Sequence, residues 1–126
     1  MSWDAARAAL DARFLTLPGL DPARIHWPNK AFDPCGQSYW KVAFLPAAVD
    51  PEMGSSKDHE KGVYQVSRFV PAGTNFGAAL RDAQAVVDLF KRQVLSGVAC
   101  GVPVPAFIPP EPDWLQIPVS IPFQVL

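Results

Sequence analysis

His26 lies seven residues before Asp33 in the stretch IHWPNKAFDP, and His59 stands between Asp58 and Glu60 in SSKDHEK. An imidazole held by a carboxylate is the smallest apparatus for general acid–base work: the carboxylate orients the ring and the ring moves the proton. Either pair could therefore line the pocket of a small hydrolase or ligand-binding protein. Together with the thiols of Cys35 and Cys100, the two imidazoles also make up a set that zinc accepts. The spacings favour neither chemistry. Compact zinc sites bring ligands in pairs about two to five residues apart, and these four are scattered along the chain.

Each candidate also has a structural explanation. In RIHW, Ile25 and Trp27 alternate with Arg24 and His26, which predicts a short strand with His26 on its more exposed face, and Pro28-Asn29 supplies a turn. His59 sits in a run of alternating charges typical of a solvated loop tip. No G-x-S-x-G, H-E-x-x-H or phosphate-binding loop occurs, so neither a catalytic residue nor a metal or other cofactor is expected.

The elements that would position these residues are easier to read. Trp3, Ala6, Leu10, Phe14 and Leu17 recur at helical steps behind Ser2, a capping residue, and Leu17-Pro18-Gly19 ends the run. A second helix has Leu80, Ala83, Val87, Phe90 and Val94 on one stripe, begins near Thr74 or Asn75, pairs Asp88 with Arg92 and is capped by Gly97. Between them the period changes to two. SYWKVAFLP places Trp40, Val42 and Phe44 opposite Tyr39, Lys41 and Ala43, and KGVYQVSRFVP continues from Val63 to Val70 until Pro71. The charged connection between them predicts a mobile hairpin loop. Val104 to Ile108 offers a further short strand.

DWLQIPVSIPFQVL has the strongest alternation, with Leu115, Ile117, Val119, Ile121, Phe123 and Val125 on one face and Trp114, Gln116, Pro118, Ser120, Pro122 and Gln124 on the other. Pro118 and Pro122 remove N–H donors from the same lateral side. This predicts an edge strand, with Pro118, Ser120, Pro122 and Gln124 along its guarded flank. The order of elements predicts an α+β fold: a mostly antiparallel sheet of four to five strands with two helices packed on one face, forming one domain over residues 1–126.

The totals restrict partners. A net charge of −1, with 18% charged and 49% hydrophobic residues, supplies no footprint for nucleic acid. Apolar runs stop short of the roughly 18 residues of a membrane span, and no export signal is expected at the N-terminus. Two isolated cysteines fit reduced thiols in a cytoplasm. After Arg92 only Glu111 and Asp113 are charged, although fourteen prolines are spread over the chain, half of them between Pro103 and Pro122. A final third so poor in charge fits either a surface covered by another protein chain or a buried strand followed by a proline-rich loop.

IHWPNKAFDP, YWKVAFLP, KGVYQVSRFVPAGT before the long helix, and IPVSIPF near the end resemble a family of small phage and prophage proteins over residues 3 to 126. These are similar to tail terminators, including that of phage lambda. The resemblance implies a structural protein, monomeric in dilute solution. It would assemble as a hexameric ring on the tail tube, stop its polymerisation and meet head-completion proteins, first in the host cytoplasm and then in the virion tail. It implies no catalytic residues. The loop that engages neighbours would be Met53 to Lys61, with Met53, Lys57, Asp58, His59, Glu60 and Lys61 as its candidate contacts. Two other classes stay open: the hydrolase or ligand-binding protein with a pocket at His26/Asp33 or His59/Glu60, and an adaptor that docks one partner strand against its sheet.

Overall fold

The computed structural model of the chain describes residues 3–47, 50–51, 58–59, 61–106, 108 and 113–126, the side chains of 50, 51, 58 and 59 excepted. Helix α1, Trp3–Phe14, buries Ala6, Leu10 and Phe14, the four-residue steps of one stripe, and Leu17 extends that apolar line beyond its end. A short 3-10 turn, Pro22–Arg24, leads into β1, Ile25–His26. Strands β2, Tyr39–Pro46, and β5, Lys61–Pro71, form a long hairpin. Two small strands pair within its connection, β3, Asp50–Pro51, and β4, Asp58–His59. Helix α2, Phe76–Phe90, follows, then β6, Val94–Leu95, β7, Val98–Cys100, β8, Val104–Pro105, and β9, Trp114–Val125.

The main sheet runs β1-β2-β5-β9-β7-β6, with β8 also paired to β9. Its register aligns Val42 with Val66 and Val66 with Val119, and likewise Phe44, Tyr64 and Ile121, so one face is apolar across three strands. Both helices lie on that face. Tyr64, fully buried, identifies it: its hydroxyl donates to Asp11 of α1, and its ring lies 5.9 Å from that of Phe90 at the end of α2. The core is the layer between, built from Leu10, Phe14, Tyr64, Val66, Val86, Phe90, Ile117, Val119 and Ile121. At Gly62 the β2–β5 ladder closes so tightly that an added Cβ would stand 2.6 Å from the Leu45 carbonyl oxygen.

The α+β class and the two helices agree with the sequence pattern, whereas three details are corrected. The sheet has seven strands rather than four to five and is mixed, because β1 runs parallel to β2. Of the additional strands, β6 comes from residues that the pattern assigned to the second helix, and β7 follows the Gly97 that the pattern made its cap. Asn75 caps α2 as expected, its side chain accepting from the N–H groups of Gly77 and Ala78. The helix nevertheless stops at Phe90. Arg92 takes a left-handed φ of 54° and donates its N–H to the Gly101 carbonyl, so a tertiary hydrogen bond ends a run that local propensity would extend. Val94 is therefore an exposed strand residue, Gly97 forms the β6–β7 turn beside Ser96, and Asp88 accepts from Gln84 at 2.9 Å.

The third correction concerns Pro118, Ser120, Pro122 and Gln124. Strand β9 is internal, with β5 along its whole length on one side and β7 and β8 on the other. The prolines do turn to a common flank, the one away from β5, because the carbonyls of Pro122 and Pro118 accept from Gly101 and Ala106 there. Periodicity located the flank correctly. It could not show that two short strands, donating into proline carbonyls, would cover it. The Gly101 carbonyl, which Pro122 cannot reach with a donor, accepts from Arg92 instead.

Candidate assembly surface

Where the structure puts the reactive candidates decides what kind of site to look for. His26 pairs with Lys41 in the β1–β2 ladder. Its Nε2 donates to the Lys30 carbonyl at 3.0 Å and its ring stacks on Phe32, so it closes the turn after β1. Asp33 accepts from the Cys35 N–H at 3.0 Å, a turn bond of the kind aspartate makes to its own backbone two residues on. The two are engaged separately. Arg24 holds the same loop from beneath, donating to the carbonyls of Pro34, Gln37 and Ser38, with its guanidinium 5.3 Å from the centre of the Phe32 ring. Cavities are lined by Arg7, Asp11, Leu15, Trp27, Pro28 and Lys30, by residues around Pro122, and by residues around Arg68. These three cavities, among the described residues, include neither His26 nor Asp33.

Asp58 and His59 contribute backbone to β4, opposite Pro51 and Asp50. Met53, Lys57 and Glu60 lie outside the described residues. Lys61 opens β5 as an exposed residue aligned with Gln124. Cys35 is exposed, and Cys100 is buried with its thiol pushed up to about 11 by desolvation, which suppresses the reactive thiolate. Among the described residues no group of three or more His, Cys, Asp or Glu could hold a metal ion, and no helix is long and apolar enough to cross a membrane.

The most strongly perturbed group belongs to the core. Burial, with help from the Asp11 charge, drives the Tyr64 phenol far above its ordinary range. Asp11 in turn receives Arg7 at 2.6 Å, and Arg7 also bonds Asp4 at 2.7 Å. The Arg7 pKa is raised, foremost by the bond to Asp4. This chain of partners leads from a buried hydroxyl to the solvent along one side of α1, and every member is satisfied by the next. It is a packing device.

What remains is the sheet face opposite the helices. Tyr39 stacks on Phe69 at 4.8 Å between ring centres and meets Trp114 edge-on at 5.3 Å, while Phe32 links Tyr39 to His26. A row of half-buried rings thus crosses from β9 to β1. Beside it lie Gln65, Ser67, Gln116 and Ser120, and further along the hairpin Leu45 is 50% exposed, next to half-buried Val63. Val104, 60% exposed, adjoins Ser120 on the same face. The sequence placed Tyr39 and Trp114 opposite the core faces of their strands. It gave no sign that they and Phe69 would meet, because their contact depends on the β2–β5–β9 register. The charge-poor final third divides in two: Ile117 to Val125 supplies the buried core strand, and Val94, Val102, Val104 and Ile108 are exposed around the β6–β8 side.

A helix-covered sheet whose other face carries half-buried rings and, toward its sides, exposed Leu45 and Val104 suits contact with other proteins. A family model described as phage tail terminator protein matches residues 5–123. The chain belongs to the phage tail terminator family. It is accordingly a phage tail protein of a structural family, associated with tail components. A solved structure is similar across 100% of this chain and 96% of its own, with a TM-score of 0.77 and 23% identity, a likeness that shows a shared fold. No curated protein matches.

Proposed function

We propose that the whole chain acts as one terminator subunit. Six copies close into a ring on the end of the tail tube, stop its growth and present a surface for joining the head, during assembly in the host cytoplasm. The observation that carries this reading is the helix-free face of the β2–β5–β9 sheet. It is continuous with the β2–β5 hairpin, whose connection holds residues Met53 to Glu60. Flat contacts of this kind need shape and apolar area, and no reactive side chain. The loop contacts assigned above are Met53, Lys57, Asp58, His59, Glu60 and Lys61, which engage an adjoining copy or the tube.

The test is electron microscopy of the purified protein, alone and mixed with tail tubes, beside the L45D variant. Leu45 is half exposed at a strand position, so the charge leaves folding intact while spoiling a buried contact. The native chain is expected to form rings or cap tubes and L45D to do neither, with both showing the same circular dichroism. Native protein that neither closes rings nor caps tubes overturns the proposal, and L45D that caps normally removes the helix-free face from it.

A further inference from the structure

Strand β8 is an outer strand: it pairs with β9 and no further strand adjoins it among the described residues. Ala106 donates its N–H to Pro118 at 2.8 Å, which fixes the direction of every backbone group nearby. In an antiparallel ladder the bonding direction alternates, so Val104 and Ala106 face β9 and the intervening Pro105 faces outward. Pro105 has no N–H, and neither has Pro103 two residues before it. At Pro105 the open side therefore offers a carbonyl and no donor. Val104, Pro105 and Ala106 are exposed, whereas Pro103 is buried.

We propose that Pro105 keeps β8 from accepting a strand of a second copy, so that copies are held apart at this edge and meet elsewhere. An incoming antiparallel strand needs a donor and an acceptor from the same outward residue. Here it would find the acceptor alone, and its own carbonyl would be left without a partner. The edge is otherwise suited to pairing: it is uncharged, since 93–108 contains no Asp, Glu, Lys or Arg, and it has exposed valine at 102 and 104. Edges of this composition associate unless something prevents it. The prolines on β9 do not serve here, because they face β7 and β8.

The test compares native protein with P105T, P105A and A106T by sedimentation velocity over a concentration series. Pro105 is exposed, so P105T and P105A retain the fold, which circular dichroism checks. Both restore the outward donor and are expected to tighten self-association about five- to tenfold, through one new hydrogen bond per edge. A106T adds the same strand-favouring side chain where the N–H already points inward, and is expected to behave as the native chain does. Sedimentation of P105T and P105A unchanged from native overturns the proposal. So does equal association by A106T, which would assign the effect to side-chain character. Ring closure of the native chain is a separate readout, so the terminator proposal can fail while this one stands, and the reverse.

Discussion

Replacing Tyr64 by phenylalanine isolates one hydrogen bond in the middle of the core. The ring is fully buried and its hydroxyl donates to Asp11 at 2.5 Å, on a carboxylate only 15% exposed. Phenylalanine keeps the contacts of the ring with Phe90 and leaves Asp11 with Arg7 as its charged partner. A hydrogen bond to a charged group contributes about 1.5–3 kcal/mol, and water can replace it only in part at so sheltered an oxygen, so Y64F is expected to lose about 2 kcal/mol at pH 7. A second signature follows from proton linkage. Folding raises the phenol pKa above its ordinary 10.0, so above that pH the unfolded chain releases a proton that the folded chain keeps. The stabilisation is complete below about pH 10 and is lost as pH rises, with a slope approaching about 1.4 kcal/mol per pH unit from this residue. Tyr39, also raised by burial, adds a contribution of the same sign. Urea denaturation of native and Y64F protein between pH 7 and 11 reads both effects. The variant should be less stable at neutral pH and lose stability less steeply in alkali. A Y64F protein within about 0.5 kcal/mol of native at pH 7, or with the native alkaline slope, would refute the assignment of Asp11 as acceptor of a buried donor.

Substitutions at two further positions probe the frame that carries the helix-free face. G62A forces a methyl group to 2.6 Å from the Leu45 oxygen and 2.9 Å from the Pro46 Cα, both backbone, so the β2–β5 ladder must shift; a loss of about 2 kcal/mol is expected in thermal or urea unfolding, and a neutral effect would contradict the close approach. R24A removes three donors to the carbonyls of 34, 37 and 38, and should raise amide exchange across 33–38 and lower stability by about 2 kcal/mol. R24K should recover little of this, since an ammonium cannot span three carbonyls from one plane while lying over Phe32.

Much of the frame was legible because it follows from local periods. Ala6, Leu10 and Phe14 are one helical stripe, Asn75 is a cap by its own side chain, and the alternation from Leu115 to Val125 marks a half-buried strand wherever that strand lies. Even the sideways direction of Pro118 and Pro122 came from backbone geometry alone. The reactive candidates dissolved for a related reason: His26 and Asp33 are turn residues, and each satisfies a backbone group a few positions away.

What neighbours each element has was settled only by tertiary structure. Helix α2 ends at Phe90, where the Gly101 carbonyl nine residues after Arg92 accepts the Arg92 N–H, and Val94 and Leu95, expected in the helix, pair with β7 as β6. Strands β7 and β8 turn the expected edge strand into an internal one. The rings of Tyr39, Phe69 and Trp114 form a surface only once three strands take one register. A period records which way a side chain or an amide points, since that depends on adjacent residues. Whether anything stands there to meet it depends on chain that arrives from elsewhere, and the helix-free face and the true edge of this subunit are both of that second kind.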